Sequence, residues 1–231
     1  MRLNLGVFFL CAFLGVLTPG IAVGGGDRMP DTLKLPKPKT KGDVSLEETI
    51  ARRRSVRAIA RRPLSLEQVS QILWCAQGIT GKDGVKRASP SAGATYPMEI
   101  FIAVGEESVT GLDAGVYRYV PDGHALVRTR EGDVRKQVAA AALGQQFLAQ
   151  APLDVLIAAD FRRTTGRYRE RGIRYVHMEV GHIGQNIYLQ AESLGLGTVA
   201  VGAFEDEKVA EAFGLPRELE ALYLMPVGCS R

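Results

Sequence analysis

Ala88-Ser-Pro-Ser-Ala-Gly-Ala-Thr-Tyr-Pro97, followed at once by Met98-Glu-Ile-Phe-Ile-Ala-Val104, decides how this chain folds. Small residues set between two prolines make a backbone that turns sharply and lets a flat ligand come close. The apolar run after it is strand-like. Upstream stands Arg52-Arg-Arg-Ser-Val-Arg57, four arginines around one serine hydroxyl. Guanidinium forks pair well with phosphate oxygens, so this cluster suits a phosphate. Downstream, Gly195-Leu-Gly-Thr-Val-Ala-Val-Gly-Ala-Phe204 supplies small residues and backbone N–H groups where a helix hands over to a strand.

The rest of the chain is organised around these segments. Ser45-Leu-Glu-Glu48 has capping-box spacing and predicts a helix that runs on into the arginines. Ser65-Leu-Glu-Gln68 repeats the signal and opens a helix to about Gln77, with a flexible loop from Gly78 to Ser91. Val116–Val120 and Ala125–Thr129 flank Pro121-Asp-Gly123 as a hairpin. A helix is expected over 134–143, and Leu153–Ala159 reads as a buried strand. In Tyr175–Leu194, Val176, Val180, Ile183, Ile187, Ala191 and Leu194 form one stripe at three- and four-residue steps, the pattern of a long amphipathic helix. Gly181 and Gly184 beside it allow close approach of another element. Strands at Thr198–Val201 and Leu222–Val227, with a helix near Asp206–Phe213, complete the set. Without a regular βα alternation, this is an α+β fold: a mainly antiparallel sheet packed by helices.

Length and composition agree with one folded domain: 231 residues, 46% hydrophobic, 23% charged and a formal net charge of +4. That charge fits an anionic cofactor as well as a nucleic acid, with Lys and Arg spread along the chain. Met1-Arg2, the apolar run Leu5–Leu17 and the small residues before Ala22 have the layout of a signal peptide over 1–22. The run is short for a membrane span, so contact with a membrane would come only through an uncleaved N-terminal segment. A buried N-terminal helix is the alternative. Residues 23–42, rich in Gly, Pro and Lys, read as a linker, and 43–231 as the domain. Cys75 sits in an apolar run as a small core residue. His177 and His182 are five apart and share no helical face, and no metal is expected.

Each motif has a second reading. If the first helix reaches Arg57, Arg53 and Arg57 share a face with Arg54 turned away. The same residues can be a solvated basic helix end. Pro90-Ser91-Ala92-Gly93-Ala94 invites comparison with a serine nucleophile, but Ser89 stands where the hydrolase elbow needs glycine, and a loop precedes it. The glycines of 195–202 lie in the wrong order for a dinucleotide loop. An exported anion-binding module would also explain the arginines.

Taken together, in this order, the three segments resemble the FMN-dependent nitroreductase superfamily, most closely its SagB-like dehydrogenase/oxidase branch. The resemblance covers 45–231 and implies a homodimer with a long central dimer helix and two FMN molecules, each pocket drawing on both chains. It implies that Arg53, Arg54, Ser55 and Arg57 bind the phosphate and ribityl chain. Pro90, Ser91, Ala92 and Gly93 would line the flavin pocket, and Val201, Gly202 and Ala203 would present N–H groups to the reactive edge of the ring. Arg231 would return to the phosphate, with Cys229 where a second basic residue is expected. The implied activity is two-step electron transfer through flavin N5, to or from a small substrate. Members that oxidise peptide azolines carry Lys-Tyr ahead of the central helix. Here the pair is Arg167-Tyr168, and arginine cannot serve as that base. Tyr168 remains the catalytic candidate.

Overall fold

The computed structural model describes residues 32–230. Seven strands form one antiparallel sheet in the order β1-β4-β3-β2-β5-β7-β6. They are β1 Thr32–Lys34, β2 Met98–Val104, β3 Gly115–Val120, β4 Ala125–Glu131, β5 Leu153–Ala159, β6 Leu196–Thr198 and β7 Glu220–Cys229. The helices are α1 Leu46–Arg52, α2 Leu66–Gln77, α3 Arg135–Ala141, α4 Gln146–Gln150, α5 Phe161–Tyr168, α6 Arg171–Ser193 and α7 Asp206–Phe213. This is the expected α+β arrangement, with β1, α4 and α5 added, α6 starting four residues early, and the strand expected at Thr198–Val201 lying instead at Leu196–Thr198.

Strand alternation sorts the core into two layers. Ile100 and Ile102 of β2, with Val155 and Ile157 of β5, face α2 and α6, burying Val176, Val180, Ile183 and Ile187. Phe101, Ala103, Leu156 and Ala158 face the other way, against α3, α4 and α7. Covered on both faces, β5 is buried at every position and needs its near-continuous apolar run, interrupted only by Asp154.

Both capping boxes form as their spacing predicts: Glu48 N–H donates to Ser45 Oγ (3.1 Å), and Gln68 N–H to Ser65 Oγ (3.3 Å). Yet α1 stops at Arg52, because Arg53 turns to φ −45°, ψ 125°. Ser55 then pairs with Thr198, and Val56 N–H donates to the Thr198 carbonyl (2.9 Å). Val56 lies where a Cβ on Gly197 would stand, so the glycine admits the new strand-like segment. Sheet pairing has overridden helix propensity.

Two further expectations change. The segment expected as linker up to Gly42 is tied down from Thr32 onward. There β1 pairs with β4, Leu35 is buried, and Lys39 exchanges two bonds with the Gln71 amide (2.9 and 3.1 Å). Gly184, expected to admit another helix, instead faces Tyr223 and Met225 of β7 in its own chain. The signal-peptide reading of 1–22 and the call on Arg231 fall outside the described residues.

Candidate functional site

The helix expected to carry Arg53 and Arg57 on one face ends before both, and Ser55 is held instead in an isolated bridge to Thr198. Arg53 lies over the Tyr188 ring, 5.2 Å from its centre, and the Ser55 hydroxyl is 3.0 Å from the Tyr188 hydroxyl. Arg57 is exposed with no partner among the described residues. Arg54 turns back instead, and its guanidinium donates to the Ala51 and Arg53 carbonyls, closing the end of α1.

The Tyr188 hydroxyl also accepts the Ala200 N–H (2.8 Å) and so ties this arginine segment to the loop after β6. In that loop Val201 pairs with Leu224, leaving Gly202 and Ala203 exposed. Their N–H groups donate to nothing among the described residues. Ser230 pairs with Ile59, which brings the chain end to the same region.

The other motif sits elsewhere. Pro90 leads into a tight turn at Ala92–Ala94, with Gly93 at φ 59°. A Cβ on Gly93 would stand 2.5 Å from the Tyr168 hydroxyl and 2.9 Å from Arg167 Nη1. The glycine is needed on both counts. Arg167 donates to the Gly93 carbonyl (3.1 Å), and Ser91 Oγ accepts the Tyr96 N–H (2.9 Å). The catalytic candidate Tyr168 is thus brought onto the Pro-Ser-Ala-Gly turn.

Beneath the turn lies Glu179 of α6, 3% exposed. Burial raises its pKa to about 7, against the opposing pull of Ser91, Arg87 and Gln77. Glu179 Oε1 and Gln77 Nε2 are both buried without a hydrogen-bond partner of normal geometry. Glu179 and Tyr188 are nine residues apart on α6, about 14 Å along the axis and half a turn out of phase. Within one chain, then, the arginine segment and the 201–203 loop come together, and the 90–93 turn does not join them.

Residues 50–229 match the sequence profile of the nitroreductase family. This chain belongs to the nitroreductase family. A candidate nitroreductase of Methanocaldococcus jannaschii is 48% identical over 200 residues, covering 87% of this chain and 98% of that one. The microcin B17-processing protein of Escherichia coli is 27% identical, over 70% of this chain and 60% of its own length. Among solved structures, a candidate nitroreductase of Ralstonia eutropha superposes with a TM-score of 0.75 at 29% identity, covering 94% and 97% of the two chains. The fold and the oxidoreductase class follow from these matches.

Sequence reasoning on this chain missed Glu179, Gln77 and Tyr188. A signal existed for Glu179: it stands one residue from the apolar stripe, three after Val176, where a carboxylate is out of place. Tyr188 offered none, because its role depends on two distant segments. Two surface clefts, one including Arg61, Arg135 and Lys136 and one between α3 and α7, contain none of the nominated residues.

Proposed function

We propose that this nitroreductase is an FMN-dependent oxidoreductase acting as a homodimer, with each flavin pocket built from both chains. The observation that carries the reading is the Tyr188 hydroxyl joining Ser55 to the 199–203 loop. It sets anion-binding side chains beside free backbone donors, the donor set a flavin phosphate and ring edge require. Arg53, Ser55 and Arg57 would hold the phosphate, joined by Arg231, and Gly202 and Ala203 would face the ring. The 90–93 turn, remote within one chain, would come from the second chain. Exposed Leu46 and Ile50 on α1, with Ile173 and Met178 on α6, offer an apolar surface for that partner. Bound FMN would supply the redox chemistry, taking electrons from a donor and passing them to a small acceptor. Tyr168 would hold or pass a proton at its hydroxyl, and protonated Arg167 would only orient it. Export through residues 1–22 is part of the same proposal.

The purified chain should be yellow and release FMN rather than FAD on denaturation. A colourless protein that takes up no added FMN would refute the reading. The shared pocket has its own test. An Arg53→Ala/Arg57→Ala chain and a Gly93→Val chain should each lose flavin alone, and mixing them should restore part of the binding through heterodimers. No recovery on mixing would place each pocket within one chain. A second reading, oxidation of peptide-derived azolines, rests on the match to the microcin-processing protein. Arg167 speaks against it, and thiazoline peptides offered as substrates would decide.

A further inference from the structure

A second basic cluster, apart from the arginines of 52–57, lies at one corner of the fold. Residues 160–174, the α5–α6 junction, hold six arginines against Asp160 and Glu170, a local excess of +4. Arg162 and Arg163 are spoken for. Arg162 forms a fork with Asp160 (2.9 and 3.0 Å), and Arg163 pairs with Glu99 (2.7 Å). Arg169, Arg171 and Arg174 are exposed and have no partner among the described residues. Arg167 reaches only the Gly93 carbonyl and the Tyr168 ring.

The corner is rigid. Arg169 adopts φ 52°, and Gly172 packs against the backbone of Thr164 and Thr165, where any Cβ would clash at 2.9 Å. Local stability does not account for the arginines. Arg171 and Arg174 occupy the first turn of α6, where the helix dipole disfavours cations.

From this placement we infer that the α5–α6 corner is the substrate-docking surface of the flavin site and selects small substrates bearing an anionic group, a carboxylate, phosphate or sulfonate. This rests on the flavin-site reading, because Arg167 and Tyr168 connect the corner to the 90–93 turn. Such a group would sit among Arg169, Arg171 and Arg174, leaving the reducible end of the molecule near Tyr168.

The experiment compares two nitroaromatics of equal shape, 4-nitrobenzoate and 4-nitrobenzyl alcohol, on the full chain as purified. Equilibrium dialysis should show the anion held about tenfold more tightly at low salt, the effect of a few exposed ion pairs, with the preference fading as salt screens them. Arg171→Glu/Arg174→Glu should abolish the preference, leave the neutral compound unchanged and keep the flavin content. The exchange puts acids in the first turn of a helix, so folding is favoured rather than threatened. Equal binding of the two compounds, or a preference that survives charge reversal, would overturn the inference. So would an unselective response to both compounds with heparin retention lost in the variant, since that marks a macromolecular polyanion as the occupant. Dialysis reads binding alone: a chain that selects the anion but contains no flavin and reduces neither compound sinks the proposed function and leaves the corner standing.

Discussion

The two ends of α6 satisfy their polar groups to different degrees. Around Tyr188 one hydroxyl satisfies both Ser55 and the Ala200 N–H, and an arginine covers its ring. One buried polar atom here, Thr198 Oγ1, has no partner, and the exposed Gly202 and Ala203 N–H groups donate to nothing among the described residues. Around Glu179 the balance shifts further: a carboxylate oxygen and an amide nitrogen are buried unpaired beneath a strained turn. An unsatisfied buried group costs about 1–3 kcal/mol, so the second end costs more stability than the first.

The sharpest way to break this contrast is Glu179→Gln. The folded chain raises this pKa from 4.5 to about 7, so the carboxyl prefers to be neutral when buried. Stability should therefore fall as pH rises from about 4.5 to about 7 and stay level above. Glutamine removes that slope. Urea unfolding at pH 8 should show the variant more stable than the parent by roughly 3 kcal/mol, the free-energy equivalent of the shift, with the difference vanishing below pH 4.5. A constant difference across pH would show that Glu179 ionises normally. Asp154 on β5 is also buried without a partner, and its pKa is likewise raised. It contributes equally to both proteins and cancels.

At the other end, Arg53→Ala and Arg57→Ala should each weaken FMN retention by one to two decades, the loss of a charged hydrogen bond worth about 1.5–3 kcal/mol. Arg54→Ala should barely change retention, because its guanidinium serves the α1 carbonyls. Ultrafiltration with graded FMN measures all three. Equal losses would return the segment to a plain basic surface. A smaller effect than that of the two arginines belongs to Tyr188→Phe, which keeps the ring under Arg53 and removes the hydroxyl. Unfolding should lose about 1 kcal/mol, and FMN retention should drop less than tenfold. If flavin binding disappears altogether, the hydroxyl does more than tie two segments together.

Where local rules act alone, the residues could be read directly. Capping boxes placed the starts of α1 and α2, the 3.6-residue stripe marked α6, and Asp206–Phe213 and the hairpin came out as expected. The arginine segment shows the limit. Arg53 and Arg57 were expected to share a helical face, but α1 ends before both, because Ser55 and Val56 find β6 more than 140 residues later. Composition likewise marked residues 23–42 as linker, but pairing with β4 and the Gln71 amide holds residues 32–39 in place.

Sequence by itself determined the fold class and the family, because periodicity, caps and turn chemistry are encoded within a few residues. Only the tertiary structure decided which motifs meet. It put Ser55 and Gly202 on one flank of α6, and Gly93, Tyr168 and Glu179 on the other. Those relations depend on sheet pairing and burial between distant segments, where no local pattern carries the information.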